Sequence, residues 1–272
     1  MHIVVCAKQV PDTSEVRIDP ETNTLIREGV PSIMNPYDAH AVEEAMALKD
    51  KYGGKVTVIS MGPPQAEEVL RQAISFGADE TILLSDRSFG GSDTLATSYI
   101  LTTGIKKVDE QEKIDLIMCG KQAIDGDTAQ VGPGIATRLG IPQLTYVMDV
   151  LEVNQEKGTI KVARKLEGEK EILEAPLPSL LTVVKDLNEL RYASLPNKIR
   201  AARFKATVWG KDDFEMDLEQ MGLKGSPTAV RKIFPPPERG EGEIIPGGKD
   251  NPEEAAAVLV EKLVKQEIIA DR

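Results

Sequence analysis

GKQAIDGDTAQVGPG, residues 120–134, follows the short apolar run IDLIMC at 114–119 and leads into a helix-like segment that ends near Gly140. Strand, glycine-punctuated loop and helix start, in that order, make one βα unit and leave backbone N–H groups facing outward at the turn. Gly120, Gly126 and Gly132 carry no Cβ, so the chain can turn sharply there and a ligand can approach the backbone. The dipole of the helix behind the loop favours negative charge, which describes a phosphate site. Neither GxGxxG nor GxxxxGK[ST] is present, so side-chain donors have to come from Thr128 or Gln130. The same residues equally suit a polar strand-to-helix connection, with Thr128 as N-cap or Pro133 as the first helical residue.

Upstream, residues 2–8 (HIVVCAK) are a near-continuous apolar run, as in a strand covered on both faces of a parallel sheet. Asn35-Pro36 opens a helix whose Val42, Ala45, Met46 and Lys49 turn one stripe inward, and Gly53-Gly54 ends it. Strand-like runs at 56–61 and 80–84 alternate with helical patterns at 65–76 and 92–108, and a further helix is expected over 131–139. Four or five successive βα units predict an α/β fold with a doubly wound, mainly parallel sheet, in which ligands sit beyond the carboxyl ends of the strands.

Downstream of Tyr146 the period changes to two. Runs at 159–165 and 169–173 flank Glu167-Gly168, a hairpin signal that adds antiparallel strands, and 180–184 is another apolar strand. Residues 188–250 are charged and proline-rich, with FPPPERGEG and PGG, which predicts an arm laid over another subunit. Asn251-Pro252-Glu253-Glu254 supplies an N-cap, an N1 proline and a capping-box glutamate for a final amphipathic helix through Ala257, Val260, Leu263 and Val264. The expected organisation is a nucleotide-binding α/β domain over 1–187 and an extended arm with its helix over 188–272.

With 272 residues the chain can bury a full core. Its 44 Asp and Glu against 33 Lys and Arg give a net charge of -11, which repels nucleic acid and anionic membranes. Residues 3–7 are too short for the apolar part of a signal peptide, and no run approaches the ~20 apolar residues of a spanning helix, so a cytoplasmic protein is expected. Cys6 and Cys119, the two cysteines, sit in apolar runs without a CxxC, so they read as buried structural thiols and no metal site is expected. His2 and His40, the only histidines, complete no catalytic triad. The acidic pairs Glu43-Glu44 and Asp212-Asp213 read as solvated faces without a role.

Four further loops are expected at the same sheet edge as 120–134: residues 7–11, 35–38, the MGPP turn at 61–64, and SDRSFGGSDTLATS at 85–98. In the last, Gly90-Gly91 followed by Ser92, Asp93, Thr94 and Thr97 offers a second close backbone approach and a group of hydroxyls at a helix start. Two such loops suit a ligand with two ends.

VVCAKQVPD (4–12), MNPYDAHAVEEA (34–45), GADE (77–80), GKQAIDGDTAQVGP (120–133), VARKLEGEKEILEAPLPSLLT (162–182) and RYASLPN (191–197) together resemble the beta subunit of electron transfer flavoproteins over nearly the whole chain. That resemblance implies an adenine-nucleotide-binding α/β fold and a C-terminal arm embracing an alpha subunit that carries another FAD. It places Ala7, Asn35, Asp38 and Met61 around the nucleotide, with Gly120, Gln122, Ala123, Ile124, Asp125, Gly126, Asp127, Thr128, Gln130, Val131, Gly132 and Pro133 wrapped about it. Tyr192, Leu195 and Pro196, in YASLPNKI, match the loop by which this subunit docks onto a flavin dehydrogenase, with Leu195 as the anchor. The dehydrogenase is of the acyl-CoA, enoyl-CoA or 2-hydroxy-acid kind.

Ordinary members of that family hold AMP at this site. LLSDRSFGGSDTLATS and NPYD look instead like the subgroup that binds a second FAD there, takes hydride from NADH and bifurcates the electrons, one to the alpha-subunit FAD and one to ferredoxin. In that reading Ser92, Asp93, Thr94 and Thr97 join the cofactor-binding residues. The alternatives are an AMP-binding subunit that passes single electrons and a stand-alone nucleotide-binding regulatory domain of the same fold.

Overall fold

The computed structural model describes residues 1–12, 17–18, 25–26, 31–229 and 242–269. The chain forms two compact units, Met1–Ile233 and Phe234–Arg272. In the first, the opening strand β1 (His2–Cys6) is buried along its whole length, as its near-continuous apolar sequence requires. It is followed by β2 (Gln9–Pro11), the short antiparallel pair β3 (Arg17–Ile18) and β4 (Leu25–Ile26), and β5 (Ser32–Met34), which pairs antiparallel with β2. Helix α1 (Pro36–Tyr52), β6 (Lys55–Met61), α2 (Glu67–Phe76), β7 (Glu80–Leu84), α3 (Thr94–Gln111), β8 (Leu116–Gly120) and α4 (Val131–Leu139) continue the βα alternation. The sheet gains β9 (Gln143–Asn154), β10 (Thr159–Lys165), β11 (Lys170–Pro176), β12 (Ser179–Val183) and β13 (Thr207–Trp209), with α5 (Leu195–Ala202) before the last.

All but the small pairs join one nine-stranded sheet in the order β11-β10-β9-β12-β8-β1-β6-β7-β13. The seven strands from β9 to β13 along that order are mutually parallel, and the β9-β10-β11 end is antiparallel. Alternate strand residues feed two cores. Ile3, Val5, Val58 and Met118 pack under α1 and α2, whereas Val4, Ile82, Ile117 and Leu180 pack under α3 and α4. In α2, Val69, Leu70, Ala73 and Ile74 form the buried stripe that its i, i+1, i+4, i+5 spacing dictates. Each of its larger side chains contributes roughly 1.5–3 kcal/mol by burial. The doubly wound, mainly parallel α/β sheet with added antiparallel strands is thus the fold the sequence predicts.

The path β1-α1-β6-α2-β7 runs to one side of β1, and α3 returns the chain to its other side as β8. The order therefore reverses between β1 and β8, and a crevice opens outside the carboxyl ends of those two strands.

Residues 188–229 belong to the first unit. α5 packs on α2, where the Arg71 guanidinium donates to the Ala201 carbonyl at 2.8 Å, and β13 pairs with β7 in register Thr207 to Ile82. Trp209 is buried there, its ring edge-on to Phe214 at 5.7 Å with the Lys107 ammonium 4.6 Å above it. The PPPERGE part of the proline-rich stretch, 235–241, lies outside the described residues. In the second unit α6 (Pro252–Lys265) has Asn251 as N-cap; its side chain accepts the Glu254 amide and donates from Nδ2 to the Glu254 carboxylate at 2.8 Å, in place of the expected capping-box bond to the Asn251 backbone amide. None of its described residues is buried, and Leu259 and Val260 are about half exposed at 47% and 50%. Among the described residues no helix is long and apolar enough to cross a membrane.

Candidate functional site

A cleft of about 320 Å3 occupies the β1/β8 switch point. The ends of the two strands are held together by the first turn of α1. Asp38, almost fully buried, accepts the Lys8 amide at 2.8 Å on one carboxylate oxygen and the Gly120 amide at 2.9 Å on the other. Asn35, wholly buried, donates from Nδ2 to the Gln122 carbonyl at 2.9 Å and accepts the Ile124 amide at 3.2 Å. Burial pushes the Asp38 carboxyl up to about 6, the two amide donors offsetting only part of that desolvation. Gly120 is obligatory in this arrangement, because a Cβ there would lie 2.5 Å from both Asp38 Oδ1 and Tyr37 Cβ.

The loop after β8 curls through Ala123 to Asp127, whose amide donates to the Ala123 carbonyl at 2.9 Å. Lys8 crosses from β1 to pair with Asp125 at 2.7 Å, and Gln122 donates to Asp127 at 2.6 Å. Asp127 and Ala129 adopt left-handed φ of 49° and 54°, and Gln130 follows in the right-handed region. That alternation turns successive N–H groups to one side. The amides of Thr128, Ala129, Gln130, Val131 and Gly132 meet no protein acceptor among the described residues, and they stand at the positive end of α4, whose first residue is Val131. Thr128 is not the N-cap, and Pro133 lies in the third helical position. A Cβ at Gly132 would approach Thr182 Cγ2 to 2.6 Å and Cys119 Sγ to 2.8 Å, so this helix seats directly on β8 and β12, whereas a Cβ at Gly126 meets no atom of the described residues within 4 Å.

The opposite wall is the start of α3. Asp93 is its N-cap, one carboxylate oxygen accepting the Leu95 and Ala96 amides at 2.9 and 3.1 Å. The other oxygen holds the amide and hydroxyl of Thr228 at 3.1 and 2.8 Å. Burial acts to raise the Asp93 carboxyl, but the donors from Ala96, Thr228 and Leu95 outweigh it and hold it below the usual carboxylate range. Ser92 donates to the Phe89 carbonyl at 2.7 Å and accepts the Gly222 amide at 3.1 Å. Thr94 spans the cleft to Gln130 Oε1 at 3.3 Å.

Of the expected residues, Ala7, Asp38, Met61, Ser92, Asp93, Thr94 and Thr97 line the cleft, as do Gly120, Gln122, Ala123, Gly126, Thr128, Gln130, Val131 and Gly132. Asn35, Ile124, Asp125, Asp127 and Pro133 are not among the lining residues; the first four bond within the loop or to its neighbours. Lys8, Lys121 and Ala129, which fall inside the expected loops 7–11 and 120–134, line it too, and Ile59 and Leu101 join them from a strand and a helix that gave no sign of a ligand contact. Cys6 and Cys119 line its floor; burial pushes the Cys6 thiol up to about 12 and raises the Cys119 thiol well above its usual range, so both stay protonated.

Apart from the cleft, Tyr192, Leu195 and Ile199 project from the surface at 99%, 71% and 48% exposure, with Pro196 beside them in the first turn of α5. Glu43, read from the sequence as part of a solvated face, is instead buried, because residues 188–191 return over α1 and cover it. Among the described residues no group of acidic, His and Cys side chains is arranged to hold a metal.

The family profile described as "Electron transfer flavoprotein domain" matches residues 22–212. The chain belongs to the electron transfer flavoprotein family, among its beta subunits. It is 53% identical over 270 residues to "Electron transfer flavoprotein subunit beta" of Clostridium acetobutylicum, covering 99% of this chain and 100% of that one. "Caffeyl-CoA reductase-Etf complex subunit CarD" of Acetobacterium woodii is 52% identical over 270 residues, with 99% and 100% covered. "Protein FixA" of Azotobacter vinelandii is 51% identical over 268 residues, with 98% and 95% covered. The beta-subunit resemblance of the motifs therefore holds across the full chain, and membership brings electron transfer in association with flavin and with further subunits.

Proposed function

We propose that the cleft holds FAD and that the chain, joined to its alpha subunit, takes hydride from NADH and divides the electrons between ferredoxin and a flavin dehydrogenase. The observation that carries this reading is the facing pair of walls: free backbone amides at 128–132 on one side, the hydroxyls of Thr94 and Thr97 on the other, with Thr94 reaching Gln130 across the gap. The amides suit phosphate oxygens, and the apolar floor of Ile59, Leu101 and the two protonated thiols suits a ring system. When bound, a flavin supplies both the hydride acceptor and the one-electron chemistry. This chain's part is to bind the phosphates through 128–132, to fix the strand ends through Asn35 and Asp38, and to hold the two floor thiols protonated by burial. The half-exposed apolar face of α6 supports packing of the second unit on the alpha subunit, which carries the other FAD. The exposed Tyr192, Leu195 and Pro196 segment supports docking to an acyl-CoA, enoyl-CoA or 2-hydroxy-acid dehydrogenase.

A second reading, AMP in the cleft of a subunit that passes single electrons, has its own support. Ser92 and Asp93 are occupied in fastening Gly222 and Thr228, and a volume of about 320 Å3 lies near the lower end of ligand clefts. Nucleotide released from the purified heterodimer decides between the two. Two FAD per heterodimer, with NADH bleaching the visible spectrum, is the expected result; one FAD, one AMP and no NADH oxidation overturns it.

A further inference from the structure

We propose that Glu43 is the positioning residue of the docking segment, setting the direction in which Tyr192 and Leu195 leave the surface. This rests on the docking role just assigned to that segment. Glu43 is 7% exposed, on the face of α1 that residues 188–191 cover. Its carboxylate takes the Arg191 guanidinium twice, Nε lying 3.0 Å from Oε1 and 2.8 Å from Oε2, and it also accepts the Arg191 backbone amide at 3.0 Å. One carboxylate thus fixes both the side chain and the main chain of the residue immediately before Tyr192. Asp50, two turns further along α1, holds the outer end of the same guanidinium at 3.0 Å.

The approach to Arg191 is fixed just as firmly. Asn188 donates from Nδ2 to the His40 carbonyl at 3.1 Å and to Glu44 at 3.0 Å, which leaves Oδ1 to accept from His40 Nδ1 at 2.8 Å. Four residues of α1 therefore grip two residues of the segment's lead-in. Beyond Arg191, Tyr192 is 99% exposed and Leu195 71%, while Ser194 between them caps α5 by accepting the Asn197 amide. Fixing the origin and leaving the tip bare orders the backbone before any partner arrives, which lowers the conformational entropy lost on docking. A surface ion pair would be a poor device for this, but a buried carboxylate that loses its cation is strongly disfavoured, so the grip has few competing states.

The test uses the purified heterodimer with Leu195→Cys carrying a nitroxide label, since the buried, protonated Cys6 and Cys119 compete poorly for the reagent. Glu43→Gln is expected to add a mobile component to the label's spectrum. Without the label, exchange of the 192–195 amides should rise on the order of tenfold, the effect of one charge-assisted hydrogen bond on a local opening. Nucleotide content should not change, and Glu43→Asp should restore part of the order. If Glu43→Gln folds poorly, Glu43→Gln with Arg191→Gln removes both charges and gives the same readout. An unchanged spectrum and unchanged exchange overturn the proposal, as does loosening spread evenly along α1. Neither outcome bears on the nucleotide measurement, so failure here is distinguishable from failure of the bifurcation reading. Failure of the docking assignment itself shows separately, as unaltered dehydrogenase kinetics in Leu195→Ala.

Discussion

The Asp38 carboxylate holds the Gly120 amide at 2.9 Å, joining the first turn of α1 to the end of β8 across 82 residues of sequence. Its second oxygen holds the Lys8 amide at the end of β1, so one side chain spans the crevice where the strand order reverses. Asp38→Asn presents an NH2 group to one of two amide donors. The expected cost is about 1–3 kcal/mol, read as a lower urea midpoint together with weaker nucleotide retention.

The same residue predicts a pH dependence. Burial raises its carboxyl from 3.8 to about 6, so the folded state binds the proton more tightly than the unfolded one. Its contribution to stability is therefore present below pH ~4 and is lost as pH rises through ~6, at most roughly 3 kcal/mol at ~1.4 kcal/mol per unit. Urea midpoints across pH 4–7 should show this slope in the wild type and not in Asp38→Asn; parallel curves would refute it.

Gly126 and Gly132 should separate ligand contact from folding. Gly132→Ala drives a Cβ to within 2.6 Å of Thr182 and is expected to cost about 1–3 kcal/mol by overpacking. At Gly126 an added Cβ meets open space among the described residues, so the melting temperature of Gly126→Val without ligand should hold while nucleotide occupancy falls. Full occupancy in Gly126→Val would move the ligand away from this turn.

Asp93 has to be left intact in any test of the α3 wall. Asp93→Ala removes an N-cap and costs ~1 kcal/mol whatever the ligand. Thr94→Val with Thr97→Val keeps the shape and removes only hydroxyls. This pair is expected to lower FAD at this site and NADH-driven ferredoxin reduction while sparing the alpha-subunit flavin, as checked by flavin quantitation; full FAD at this site would exclude these hydroxyls from binding.

Leu195→Ala should leave stability within about 0.5 kcal/mol, because the side chain is 71% exposed. Loss of an interface anchor is worth about 2 kcal/mol, roughly 30-fold in the KM for the partner dehydrogenase. Steady-state kinetics with the dehydrogenase check it, and an unchanged KM removes Leu195 from the interface.

The sheet was legible because β1 and β8 are buried on both faces and so carry near-continuous apolar runs, and β6 keeps Val56, Val58, Ile59 and Met61 around its buried Thr57 and Ser60. β13 was not, since three residues have no periodicity and Thr207–Trp209 becomes a strand only by pairing with β7 more than a hundred residues earlier. At the site, the glycines and hydroxyls named the walls, but position along the chain does not tell a lining residue from a clamp. Asn35 looked like a ligand contact and spends its side chain on the Gln122 carbonyl and the Ile124 amide. Ser92 and Asp93 looked like spare donors and acceptors until Gly222 and Thr228 folded back onto them. Glu43 looked solvated because its cover comes from residues 188–191.

The place of β12 in the sheet bears on the order in which the chain can be built. Ser179–Val183 lies between β8 and β9, pairing with both, yet it follows β9, β10 and β11 in sequence. A chain emerging from the ribosome therefore carries β8 with one open edge until residue 183 has cleared the tunnel, and β7 likewise until residue 209. Unpaired edges of buried, apolar strands are templates for association. Synthesis that stalls between β8 and β12 would release fragments more prone to aggregation than chains cut after residue 209, with the same first eight strands, β1 to β8, in each.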